Sequence, residues 1–238
     1  MLVRLPGFPI ATGPTVELPD IGELLFYPAF HGIGAEAYRR YASAFQKRLL
    51  DRLPLRHDRK NVLIRSGVWL LEPWGRTHVN RSGDWHIDGK GDCDHIEPQE
   101  RVHILSSPCR ALTEFNVNPL QIESVSNETR FQLASRLRDN LAAFGVIGRA
   151  IEPCRVYTFE NHLHRAVEPE RIEFRFFFRV RETDDPPFTT APVDKQYIHC
   201  VSTGKKIASI IYHQEGLVLQ YPRTLRDPQG SESGLCGR

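Results

Sequence analysis

The 238-residue chain is 40% hydrophobic, 25% charged and 10% aromatic, the balance of an ordinary globular protein long enough to bury a sizeable core. A net charge of only +2 excludes the broad basic field of a nucleic-acid binder, and no apolar run reaches bilayer-crossing length, so neither nucleic acid nor membrane is expected as a partner. The five cysteines are odd in number and never spaced as CxxC, which excludes a disulfide scaffold and a cysteine-rich zinc site.

The first twenty residues are broken by prolines and glycines and offer no signal-peptide apolar region, so a cytoplasmic protein is expected. Residues 35 to 53, "AEAYRRYASAFQKRLLDRL", place Tyr38, Tyr41, Ala42, Phe45, Leu49 and Leu53 at helical spacing, with Pro54 as a stop. Their basic face reads as solvated and their apolar face as packed on a sheet. Strands are predicted at 61–71, 101–105, 111–117, 154–159 and 172–180, and again at 196–201, 206–213 and 216–221, all rich in β-branched and aromatic residues. A second helix is predicted at 128–144, capped by Ser126 or Asn127 and ended by Gly145. The pattern is α+β, one domain over 1–238, with a sandwich or barrel core at about 60–182 and a helical region near 30–55. The Gly/Ser-rich tail from about 227 to 238 is expected to be mobile.

The chemistry-bearing stretch is "DWHIDG", where His86 and Asp88 stand two positions apart before a glycine. In a chain with ten histidines such a triplet arises by chance roughly half the time, so alone it carries little. Side chains of extended backbone alternate, so residues i and i+2 project to one side and can offer two ligands to one ion. Two imidazoles and a carboxylate on one octahedral face are a common iron(II) site for oxygen chemistry. The segment 160–180, "ENHLHRAVEPERIEFRFFFRV", supplies His162 and His164 as candidates for the third ligand. Its strand alternates: Ile172, Phe174, Phe176 and Phe178 form an apolar face, while Arg171, Arg175 and Arg179 share the other. An arginine on the inner face of a barrel strand can grip a carboxylate through paired hydrogen bonds.

The ordered set His86-x-Asp88, His164-Arg165 and Arg175 resembles the Fe(II)/2-oxoglutarate-dependent oxygenases over about residues 60–182. The resemblance implies a double-stranded β-helix, a jelly-roll or cupin-like barrel, with helices packed on the sheet. It implies His86, Asp88 and His164 as ligands of Fe(II), and Arg175 as the clamp on the far carboxylate of 2-oxoglutarate. Thr113 would add a hydroxyl to that carboxylate. His162 stands as the alternative third ligand, and Arg171 or Arg179 as the alternative clamp. The implied reaction consumes O2 and 2-oxoglutarate, releases succinate and CO2, and oxidises a C–H bond of a small molecule, most simply by hydroxylation. Arg81, Trp85 and Lys90 around the HxD segment are candidate substrate-binding residues and suggest an anionic or zwitterionic metabolite. Two further readings stay open: a cupin-type metalloenzyme that does not use 2-oxoglutarate, and a metal-free β-barrel binding protein.

Other patterns carry less. "DGKGDCDHIE" (88–97) fails the register of a calcium loop because Lys90 sits at a ligand place, and it reads instead as a loop able to cover substrate. "HGIGAE" lacks the full dinucleotide fingerprint, and no nucleophile elbow or Walker lysine motif is found. His95 and His103 read as surface or strand histidines.

Overall fold

A computed structural model describes residues 2–71, 85–88, 100–125, 128–167, 169–171, 173–192, 197–199, 206–213 and 216–220. Arg81, Lys90, the rest of the loop 89–97 and the tail 227–238 lie outside the described residues.

The elements run β1 (Leu2–Leu5), β2 (Ile10–Thr12), α1 (Ile21–Leu24), β3 (Phe30–Gly34), α2 (Ala35–Tyr41), α3 (Ala44–Asp51) and β4 (Asn61–Leu71). Then follow β5 (Glu100–Ser106), β6 (Thr113–Asn116), β7 (Leu120–Glu123), α4 (Arg130–Arg138), β8 (Gly148–Ala150), β9 (Val156–Phe159), β10 (His164–Ala166) and β11 (Glu173–Thr183). The chain continues through β12 (Tyr197–His199), β13 (Lys206–His213) and β14 (Gly216–Gln220). The principal sheet has six strands in the order β2-β9-β5-β11-β4-β3, and a smaller one has the order β10-β6-β8. Two others, β1-β7 and β12-β13-β14, complete the set.

The protein is therefore α+β and β-rich, with antiparallel ladders throughout. Among the described residues no sheet closes on itself, so the jelly-roll barrel expected from the resemblance is not seen as a closed barrel. No described helix is long and apolar enough to cross a membrane.

Strand β11 is the spine. It pairs with β4 along all eleven residues and with β5 along seven. Its alternation sorts the molecule into two sides, as the sequence predicts. Phe176, Phe178 and Val180 point to the helices and bury against Tyr38, Phe45, Leu49 and Leu50. Each fully buried phenylalanine there contributes about 1.5–3 kcal/mol of transfer free energy. Arg175, Phe177 and Arg179 point the other way, toward the small sheet.

The single helix expected over 35–53 is two helices. Ala42 is extended, and Ser43 caps α3 with a reciprocal capping box: its hydroxyl accepts from Gln46 N–H while the Gln46 side chain accepts from Ser43 N–H. The Gln46 amide also donates to Pro28 O at 2.7 Å and to Ser66 Oγ at 3.1 Å, tying the break to β4. Likewise α4 is shorter than expected: its cap is Thr129, in a second capping box with Gln132, and Gly145 at φ 63° ends the turns that follow.

Candidate metal centre

Two segments distant in sequence meet at the site. His86 and His164 exchange backbone hydrogen bonds, His86 N–H to His164 O at 2.8 Å and the reverse at 2.9 Å. In that antiparallel pairing the two imidazoles stand on one side, with ring centroids 4.2 Å apart. Period-two alternation does the rest. Trp85 and Ile87 point into an apolar cluster with Leu120, Ile122, Leu133 and Leu137, while His86 and Asp88 turn to the opposite side. Trp85 is thus a core residue that does not line the pocket, contrary to its expected place at the substrate. Its neighbour sets that role: an indole beside buried leucines gains more from burial than from contact with a polar ligand.

His86, Asp88 and His164 form the one potential metal-binding group of three among the described residues, with donor atoms all within 4.8 Å of one another. The Nε2 of His164 lies 3.7 Å from one Asp88 oxygen, and the Nε2 of His86 lies 4.0 Å from the other. Adjacent octahedral donors at ~2.1 Å from one ion stand roughly 3 Å apart, so the group must tighten by about 1–2 Å to bind. The chemistry of the donor set fits such an ion. His164 Nδ1 faces the His162 carbonyl at 2.9 Å, which fixes the proton on Nδ1 and leaves the Nε2 lone pair toward Asp88. Burial between the Phe115 and Phe159 rings, and then the neighbouring His86, push the His164 imidazole down to about 3, so it stays neutral. Burial raises the Asp88 carboxyl, but Arg179, His164, His86 and Arg181 together outweigh it and hold the group well below the usual carboxylate range. A neutral His164 imidazole and an ionised Asp88 carboxylate are protonation states that ligation requires.

His162 does not join the group. Its ring packs edge-on against Phe115 and Phe159, its Nδ1 accepts from Glu160 N–H, and burial pushes it down to about 4. Its carbonyl orients His164 instead.

The triad opens on a pocket of about 600 Å³, its open mouth included, between the six-stranded sheet and the small sheet. Thr113 and Arg175 line the same pocket. Thr113 sits on β6 directly across from Ala166, so it shares a sheet face with His164 two residues away. Arg175 is buried and donates from Nη1 to Ala111 O at 2.7 Å. Glu173 holds that same loop by accepting from the backbone N–H groups of Arg110 and Ala111. Arg171 is exposed ahead of β11 and does not reach the pocket. Arg179 does, and it donates to Asp88 Oδ2 at 2.6 Å.

One contributor has no signature in the sequence. Arg130, the first residue of α4, is buried and donates from one nitrogen to both Asp88 O and Asn161 Oδ1 at 2.8 Å. A single guanidinium thus joins the segment of Asp88 to the segment leading into His164. In sequence it is one more helix arginine.

Compared with known proteins, the chain matches no family model, no curated protein sequence and no solved structure.

Proposed function

We propose that this protein is a non-haem Fe(II)- and 2-oxoglutarate-dependent oxygenase that oxidises a C–H bond of a small molecule, most simply by hydroxylation. The observation that carries this reading is the convergence of His86, Asp88, His164, Thr113 and Arg175 on one pocket. Those five positions come from the HxD segment and three different strands. A binding protein without a metal has no need to gather two imidazoles around a carboxylate kept ionised.

In this reading the two facing sheets are the walls of a jelly-roll-like fold. His86, Asp88 and His164 would hold the ion, and the iron would supply activation of O2 coupled to decarboxylation of 2-oxoglutarate to succinate and CO2. The chain's own residues place and shield. Arg175, its orientation fixed by Ala111 O, presents its remaining N–H groups to the far carboxylate of the co-substrate, and the Thr113 hydroxyl adds a hydrogen bond. Ile104, Phe159 and Phe177 line the same cavity and exclude water from the reacting centre. A carboxylate at position 88 fills the place that a halogenating enzyme leaves open for halide, so halogenation is not the outcome assigned.

The test is formation of succinate from 2-oxoglutarate by the protein with Fe(II), ascorbate and O2, measured by mass spectrometry. Activity is expected in the natural chain, a loss of at least 100-fold in Asp88→Ala, and a similar loss at low 2-oxoglutarate in Arg175→Ala. Metal-dependent oxidation that survives Arg175→Ala and forms no succinate would instead assign a cupin-type enzyme.

A further inference from the structure

The wall of the pocket carries more positive charge than the metal and co-substrate reading uses. Three guanidiniums, of Arg65, Arg175 and Arg179, line it against one carboxylate, Asp88, an excess of two positive charges among the described lining residues. A divalent ion and 2-oxoglutarate have equal and opposite charge, so loading both leaves that excess in place. Arg175 has a backbone partner and Arg179 has Asp88. Arg65 has neither. Its guanidinium lies over the Trp69 ring at 4.5 Å, and its Nε has no hydrogen-bond partner among the described residues. It also stands directly across the β4–β11 ladder from Arg179, a like-charge cross-strand pair in which Asp88 compensates Arg179 alone. Burial, then Arg179 and Arg175, lower the Arg65 pKa to about 10.

The register fixes where that anion would lie. Arg175 pairs with Trp69 and Arg179 with Arg65, and the Arg65 guanidinium leans along β4 over the Trp69 ring, back toward the level of Arg175. Asp88 is held by Arg179, directly across that ladder from Arg65. We propose that Arg65, stacked on Trp69, is the substrate-binding residue that takes an oxyanion of the substrate, a carboxylate, sulfonate or phosphate. The substrate is thereby an anion. The assignment of that anion to the substrate rests on the 2-oxoglutarate reading; the presence of an anion subsite at Arg65 does not.

The experiment is ligand-observed NMR on the zinc-substituted full chain saturated with 2-oxoglutarate, titrated with butyrate, butanesulfonate and, as neutral counterpart, butyramide. The natural chain is expected to bind the two anions and not the amide. Arg65→Gln should weaken both anions at least tenfold, and Arg65→Lys by a smaller factor because charge is kept and the fork is lost. The 2-oxoglutarate affinity of Arg65→Gln should stay within twofold of the natural chain. Equal anion binding by Arg65→Gln and the natural chain overturns the proposal, as does loss of 2-oxoglutarate by Arg65→Gln to the same degree as by Arg175→Gln. Should the natural chain bind no 2-oxoglutarate, the co-substrate reading fails and the anion titration is repeated without it. Arg65-dependent anion binding there upholds the subsite, and its absence overturns it. Arg65→Lys, checked for an unchanged melting temperature, guards against a folding defect in the glutamine variant.

Discussion

Arg179 and Asp88 form the tightest ion pair of the candidate metal centre, Nη2 to Oδ2 at 2.6 Å, and the oxygen gripped is the one that faces His164 Nε2. A metal ion bridging His164 and Asp88 must share or take that oxygen. Both partners are largely shielded, so removing the cation strands a carboxylate. Arg179→Gln is expected to destabilise the metal-free protein by about 2 kcal/mol, less than a fully buried pair because the arginine is partly exposed. A bound divalent ion replaces the lost counter-charge, so the gap should narrow by about 1.4 kcal/mol with metal, equivalent to about tenfold tighter metal binding in the variant. Urea denaturation of both proteins with and without Mn(II) reads this directly; a gap that metal leaves unchanged contradicts it.

Arg130 acts through backbone position rather than through the ion. It holds Asp88 O and Asn161 Oδ1 together, so it sets the spacing between the two ligand-bearing segments. Arg130→Ala should lower metal affinity by about 10–100-fold, the usual effect of removing an outer partner of a metal site. Arg130→Lys should recover little, since one ammonium cannot reproduce the guanidinium's shared grip. Metal titration followed by the d–d absorption of Co(II) checks both.

Glu173 fastens the loop whose Ala111 carbonyl orients Arg175. Glu173→Ala is expected to raise the KM for 2-oxoglutarate about fivefold to tenfold while kcat stays within twofold, because the loop moves and the ligands do not. Glu173→Gln keeps an acceptor oxygen for the same N–H groups and should stay close to the natural KM.

Behind the pocket, His103 and Glu182 are fully buried together, Nε2 to Oε1 at 3.1 Å, with Thr158 Oγ1 on the other ring nitrogen at 2.9 Å. Burial pushes the imidazole below its ordinary 6.5, outweighing Glu182. The unfolded chain therefore takes up this proton first as pH falls. The stability this histidine contributes is complete above about pH 6.5 and is lost as pH falls toward the folded value. Glu182 extends the loss to lower pH: burial opposes its charge, but hydrogen bonds from His57, His103 and Arg56 hold its carboxyl below 4.5. Denaturation midpoints at pH 7.5 and 5.5 should differ less in His103→Gln than in the natural chain, and equal differences would remove His103 from the cause.

Much of this was legible before any coordinates. The β11 alternation followed from four aromatic or aliphatic residues at every second position, and the projection of His86 and Asp88 to one side followed from the same period. The helix over 35–53 was placed correctly but not its break, although Ser43 and Gln46 spell a capping box. Strands β1, β2, β3, β7, β8 and β10, of three to five residues, are too short for a period of two to register. The resemblance points to His164 as the third ligand with His162 as the alternative; that His164 heads a strand and pairs with His86 is a tertiary fact. Three arginines on one strand look alike in sequence. Partners separate them: solvent for Arg171, a carbonyl for Arg175, a carboxylate for Arg179.

The most direct measurement is an anaerobic titration of the metal-free protein with Fe(II), then with 2-oxoglutarate, followed in the visible range. A weak absorption band should grow only when both are present, saturate at one equivalent of each, and vanish in Asp88→Ala and His164→Ala. A folded protein that gives no such band, or one whose band survives loss of either ligand, would show that these three side chains do not gather an iron for oxygen chemistry.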